Sequence, residues 1–272
     1  MASGKLSPRQ KMINMMYLVL TALLALNISK DMLKAFAKVN NSLKSNLSNI
    51  HHQSDVLYSQ FQESAENFPE KVGSQYEIAQ SVQNAAEDFS AYVTELNDLL
   101  VENTGGYKED GLELKGADNK SKVSNLLLMK PDLKGEEFRL KIDSYRDFLL
   151  GLEVVQNDDE LINIIISNLN TDDMLKDDIF MSWEEGTFNN VPLIAVLTFL
   201  SQYQVDASTI ESKIVESLYA GVSADDMKFT TAIAQVMAPK NYIMQGDSFR
   251  AEISLAAFDT TQTPEIIVTS LF

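Results

Sequence analysis

From Met12 to Ile28 the chain carries no charge, and its polar positions are only Asn14, Tyr17, Thr21 and Asn27. Both faces of Met15–Leu26 are apolar, a pattern that predicts a membrane-spanning helix rather than a buried helix of a globular domain. The seventeen residues of that run reach about 26 Å at 1.5 Å each, enough for a thin hydrocarbon core. Ser7-Pro8-Arg9-Gln10 starts the helix as a capping box, with Ser at N-cap, Pro at N1 and Gln at N3. The basic start also fits a cleaved leader, but the small-x-small cleavage site is poor, because the apolar run flows into Leu26-Asn27-Ile28-Ser29, and the helical pattern runs on beyond it. An uncleaved anchor is the better reading.

Gln10, Asn14, Tyr17 and Thr21 follow helical spacing, so four polar side chains share one face, with Leu24 and Ile28 continuing it. Polar groups facing lipid are costly and are ordinarily satisfied by another helix; alternatively, Gln10 and Asn14 lie in the headgroup layer. Arg9 lies on a neighbouring face. It either snorkels to the headgroups or pairs with a carboxylate of another membrane helix. The apolar run contains no Asp or Glu. Any ion or proton path through it therefore needs an acid from a partner subunit, because arginine keeps its proton.

Beyond the span, Met32, Phe36, Val39, Leu43, Leu47, Ile50, Leu57, Phe61, Ala65 and Phe68 continue at three- and four-residue steps, predicting an amphipathic helix up to Pro69. Its narrow stripe suits either a parallel homodimer or an intramolecular bundle. A second helix is expected over Gly73–Glu102, ended by Thr104-Gly105-Gly106. Tyr107–Lys122 reads as a polar loop with a short hairpin. Helical patterns return over Glu136–Gln156, Asp159–Asn168, Val191–Tyr203 and Ser208–Ala220, so the middle of the chain is expected to be an antiparallel helical bundle.

Near Ala224 the period changes to two. Thr230–Val236 and Phe249–Leu255 read as strands, punctuated by turns at Ala238–Asn241 and Gln245–Asp247. These strands open an all-β, sandwich-like domain. Too few strands precede Phe272 to close such a core, which predicts a continuation. The expected organisation is mainly α: an N-terminal tip over 1–11, a membrane helix over 12–30, a helical bundle over 31–223, and the beginning of a β domain over 224–272.

Composition narrows the partners. Residues 1–50 hold seven Lys/Arg and one Asp against −17 for the whole chain, so residues 51–272 carry −23. That acidity argues against nucleic-acid binding. The absence of cysteine excludes disulfides and thiolate metal sites. Charge does not settle orientation, because Lys5, Arg9 and Lys11 before the span are balanced by Lys30, Lys34 and Lys38 after it.

Chemistry-bearing motifs are scarce. His51 and His52 are neighbours on a helix and point about 100° apart, so they cannot share one metal and read as a solvated pair. No nucleophile elbow, phosphate-binding glycine loop or HExxH motif occurs. Asp158-Asp159-Glu160 and Asp172-Asp173 suit helix capping better than cation binding. Trp183-Glu184-Glu185, Phe188 and Val191-Pro192 read as a packing corner before a helix. No enzyme, cofactor or metal is expected.

The opening GKLSPRQKMINMMYLVLTALLALNISKDMLKAF resembles the N-terminus of the GldM (PorM) family of the type IX secretion and gliding machinery. The likeness extends to Trp183-Glu184, Phe188, Pro192–Val196 and Ala238–Asp247. The resemblance implies a cytoplasmic N-tip, one inner-membrane helix and a periplasmic rod of one helical and several β domains. It further implies a homodimer whose two membrane helices sit inside a ring of the membrane protein GldL (PorL), the pair forming a proton-motive-force-driven motor. Further β domains, absent here, would reach the outer-membrane secretion and gliding components. On this reading Arg9, Gln10, Asn14, Tyr17 and Thr21 face the ring, with Arg9 paired to a ring carboxylate. The alternative is a membrane-anchored periplasmic sensor or adaptor with no motor role.

Overall fold

The computed structural model describes residues 7–26, 30–109, 113–176, 179–226, 231–237 and 252–258. Helix α1 spans Pro8–Leu26. Its capping start is present: the Gln10 amide donates to Ser7 Oγ at 3.3 Å, and the Lys11 amide to the Ser7 carbonyl at 3.0 Å. Arg9 and Lys11 occupy the first turn, so the charge-free part of α1 is the fifteen residues Met12–Leu26, about 22 Å of helix. Among the described residues, no helix is long and apolar enough to cross a membrane. Residues 27–29, which belong to the expected span, lie outside the described residues.

Helix α2, Lys30–Asn67, is uninterrupted. Phe68 breaks it, and α3 follows over Pro69–Thr104 with Pro in its first turn and a left-handed Gly105 at its end. Pro69 removes a donor and forbids helical geometry in the residue before it, which makes the α2–α3 corner sharp. The two helices are antiparallel: Tyr58 Oη donates to the Ala79 carbonyl at 3.3 Å, and the Phe61 and Tyr76 rings meet edge-on at 5.5 Å.

The third long element is α9, Leu193–Asp226. The sequence pattern suggests two helices here, separated near residues 204–207; the structure has one. Gln204 interrupts the apolar run but is satisfied inside the bundle. Its Nε2 donates to the Ser90 carbonyl at 3.0 Å, to Ser90 Oγ at 3.1 Å and to Thr94 Oγ1 at 3.0 Å. A second difference concerns direction. Ser201–Asn40, His51–Ser208 and Phe61–Tyr219 advance together along α2 and α9, so these two helices are parallel and α3 alone opposes them. The chain returns to the start of α9 through a compact set of short elements, which is what permits this direction.

Those elements are α4 (Ser121–Leu128), α5 (Lys134–Leu150), α6 (Glu153–Gln156), α7 (Asp159–Asn168), the strands β1 (Met174–Lys176) and β2 (Ile179–Met181), and α8 (Trp183–Phe188). The expected polar loop is confined to the stretch before α4, where Tyr107 and Leu114 form an antiparallel bridge. Phe138 is fully buried and sits at the centre of the packing. Its ring lies 5.4 Å from Tyr203, 6.0 Å from Trp183, 6.3 Å from Phe89 and 6.4 Å from Phe188. The Trp183 corner is thus a packing corner, with Ser182 Oγ capping α8 through the Glu185 amide.

At the C-terminal end β3 (Thr231–Met237) and β4 (Glu252–Phe258) form an antiparallel pair, registered from Thr231 opposite Phe258 to Met237 opposite Glu252. Of the strand expected over 249–255, residues 252–255 lie in β4, and residues 249–251 lie outside the described residues. The turns predicted at 238–241 and 245–247 lie outside the described residues. The architecture is mainly helical, with a small antiparallel sheet at its end.

Candidate functional site

Every described side chain of α1, Ser7–Thr21, is exposed. Met12 is 75% and Leu18 68% exposed, and large apolar residues face outward along this whole stretch. At 100° per residue Gln10, Asn14, Tyr17 and Thr21 fall within an arc of about 60°, with Arg9 about 100° to one side. The structure therefore keeps these residues on one helix, four as a stripe and Arg9 on a neighbouring face. Thr21 Oγ1 donates to the Tyr17 carbonyl at 2.7 Å, a bond that satisfies its hydroxyl within the helix and suits an apolar environment. An exposed apolar cylinder of this size is stable only when something covers it.

A second constellation, not anticipated from sequence, lies between α2, α3 and α9. A cavity of about 550 Å³ opens there, lined in part by His51, Glu87, Ser90, Ser208 and Glu211. Glu211 is only 6% exposed, and its Oε1 accepts a hydrogen bond from Tyr58 Oη at 3.0 Å. Burial pushes the Glu211 carboxyl up to about 7; the Tyr58 bond pulls it down, while the nearby Glu87 and Asp55 raise it further. The Tyr58 hydroxyl is pushed well above its ordinary range by burial and by the Glu211 charge. His51 and His52 are both exposed, as the sequence suggests, and His51 Nε2 in addition lies 3.1 Å from Ser208 Oγ on α9. A sequence signal for Glu211 exists: it falls among Ala207, Ile210, Ile214 and Val215 at helical spacing, an acid on an apolar face.

The third polar group joins α5 to the β1–β2 hairpin. Arg139 Nη1 donates to Asp173 Oδ1 at 3.0 Å and lies 3.5 Å from Glu184. Arg146 donates to the Leu169 carbonyl at 3.0 Å and pairs with Asp143 at 2.9 Å. The capping reading of the acidic pairs holds for Asp158, which accepts from the Glu160 and Leu161 amides. Asp173 accepts from the Trp183 amide at 3.1 Å while also pairing with Arg139. Among the described residues no group of His, Cys, Asp and Glu side chains is placed to hold a metal ion.

A family model described as the GldM N-terminal domain matches residues 31–221, and one described as the GldM second domain matches residues 223–270. The chain belongs to the GldM family. It is thereby placed among the components of the gliding and type IX secretion machinery. The boundary between the two matched regions lies at residue 222, in the last turns of α9. A comparison with curated proteins finds no match.

Proposed function

We propose that this chain is the inner-membrane motor subunit of that machinery, with α1 as its working surface. The observation that carries the reading is the state of α1. It exposes a nearly continuous apolar surface bearing one narrow polar stripe, and its only described charges, Arg9 and Lys11, are in the first turn. A lipid bilayer covers the apolar part, and the stripe of Gln10, Asn14, Tyr17 and Thr21 is met by helices of a partner.

In this account the helix spans the inner membrane with its N-terminus in the cytoplasm and the bulk of the chain in the periplasm. Two copies pair within a ring of a GldL-like (PorL-like) membrane protein. The apolar run contains no carboxylate, so the titrating acid of a proton path belongs to the ring, and Arg9 is its counter-charge. Protonation of the ring acid removes the attraction. A desolvated pair of this kind is worth several kcal/mol, whereas a screened pair is worth about 0–1 kcal/mol, so the switch is strong only in a low-dielectric setting. Proton-motive force thereby biases which ring helix α1 contacts. Two identical helices cannot meet all subunits of a ring of different symmetry equivalently, and that mismatch makes stepping directional contacts available.

The parallel pair α2 and α9 supports the idea of a shaft. Lys30–Asn67 has neither Gly nor Pro, and bonds from Asn40 to Tyr58 couple it to α9 along its length. The chain carries out no catalysis and needs no cofactor in this reading; it transmits force towards outer-membrane secretion and gliding components. Replacing Met12–Leu26 by polyleucine tests the proposal in cells. A motor surface loses gliding and secretion although the protein still reaches the membrane and accumulates normally. A mere tether, as in a sensor or adaptor, retains both.

A further inference from the structure

The β1–β2 hairpin carries large apolar residues on both faces, and one of them is the more exposed. Residues directly opposite in an antiparallel pair project to the same side, and the sides alternate along the strands. Met174 lies opposite Met181, and Leu175 opposite Phe180. The methionine face packs in part on α8: Met174, 40% exposed, lies so close that a Cβ added at Gly186 would meet its Sδ at 2.8 Å, and Met181 is half-buried. The other face points to solvent, with Leu175 61% and Phe180 82% exposed. Two three-residue strands are too short to be stable alone. The hairpin is instead held at its base, where Asp173 binds both the Arg139 guanidinium and the Trp183 amide. An outward-facing Leu–Phe pair on a hairpin anchored at its base is the arrangement expected of a docking surface.

A cavity of about 810 Å³ lies beside it between α4, α5 and α8, lined by Leu128, Met129, Leu140, Glu136, Glu185 and other residues. Met129 and Leu140 are 56% and 60% exposed, so the apolar surface extends from α5 and the α4–α5 turn towards α8. Charge identifies the occupant. Among the described residues, Asp172 and Asp173 precede β1, and Glu136, Glu184 and Glu185 line the cavity. Arg139, which lines the cavity, is already engaged with Asp173 and Glu184, and the nearby Lys134 is paired with Glu137. An apolar pair set in such a field attracts a cationic amphipathic segment and repels acidic surfaces. The acidic part of a second copy, residues 51–272 at −23, fits poorly, and anionic lipid is repelled for the same reason.

We propose that Leu175 and Phe180, with the neighbouring α4–α5–α8 cavity, form a docking surface for a Lys/Arg-bearing amphipathic segment of another protein. The surface is separate from α1 and does not depend on how α1 meets the membrane. The test places a photo-crosslinking phenylalanine analogue at position 180 of the full chain in cells, and the adduct peptides are identified by mass spectrometry. The expected adduct is a peptide of a different protein, net positive over about ten residues and carrying apolar anchors. Its yield should fall at least fivefold with Leu175→Ser, and at least threefold when Asp172 and Glu185 are both replaced by their amides. Leu175 is exposed, so unchanged thermal unfolding of Leu175→Ser shows that the loss is not misfolding. Adducts on a second copy of the chain, on lipid, or on a neutral or acidic peptide overturn the proposal, as does a yield no higher than at exposed Gln60 on α2. Retained gliding together with the predicted adducts leaves the docking surface standing even where the motor reading of α1 fails.

Discussion

Replacing Glu211 by Gln removes a charge that the folded chain holds at a cost. The carboxyl sits almost wholly buried between α2, α3 and α9, facing Tyr58, Asp55 and His51 on α2, Glu87 on α3 and the Tyr145 hydroxyl on α5. Burial is the main reason its pKa rises from 4.5 to about 7. Unfolding returns it to the lower value. Below pH 4.5 the carboxyl is neutral in both states and its contribution to stability is fully present. Between 4.5 and 7 the unfolded chain releases its proton first, so the folded state binds more protons and stability falls as pH rises. At about 1.36 kcal/mol per unit the ceiling of this loss is about 3 kcal/mol, reached above pH 7. Glutamine keeps an acceptor for the Tyr58 hydroxyl and has no proton to lose. Urea unfolding of the full chain in detergent, followed by circular dichroism at pH 5 and pH 8, measures the difference. Glu211→Gln should be more stable than wild type by only about 1 kcal/mol at pH 5 and by up to about 3 kcal/mol at pH 8. Equal effects at the two pH values, or a variant less stable at pH 8, refute the assignment of Glu211 as a strained buried acid.

Two further substitutions probe the packing. Phe138→Ala empties the centre of the aromatic cluster joining α3, α5, α8 and α9 and should cost about 3–5 kcal/mol, read from the same unfolding curves. Gly135→Ala brings a Cβ to 2.8 Å from the Leu127 carbonyl, which only a backbone shift between α4 and α5 relieves. A loss of about 1–3 kcal/mol is expected, with a lowered thermal midpoint.

How much of this was legible depends on the length of each pattern. Helices α2, α3 and α7 follow from apolar spacing and their punctuation: Pro69 and Gly105 frame α3, and Asp158 caps α7. Strands of three residues cannot display a period of two, so β1 and β2 leave no trace in the sequence, and their exposed Leu175 and Phe180 pass for ordinary apolar positions. Helix α4 is likewise too short to show a period. The break expected in α9 arises because Gln204 and Asp206 read as polar punctuation, whereas Gln204 is satisfied by Ser90 and Thr94 across the bundle. Tertiary partners of that kind are not written in local order. The Tyr58–Glu211 pair shows the same limit, since 153 residues separate its members. The polar stripe of α1, by contrast, is entirely local and is read directly from spacing.

The central claim is that α1 generates force through Arg9 rather than merely holding the chain at a membrane. Arg9→Ala, scored for gliding and secretion in cells in which the variant reaches the membrane at wild-type abundance, tests it most directly. The account predicts that both activities are lost although the protein accumulates and is localised normally. Gliding and secretion at wild-type rates in those cells contradict it.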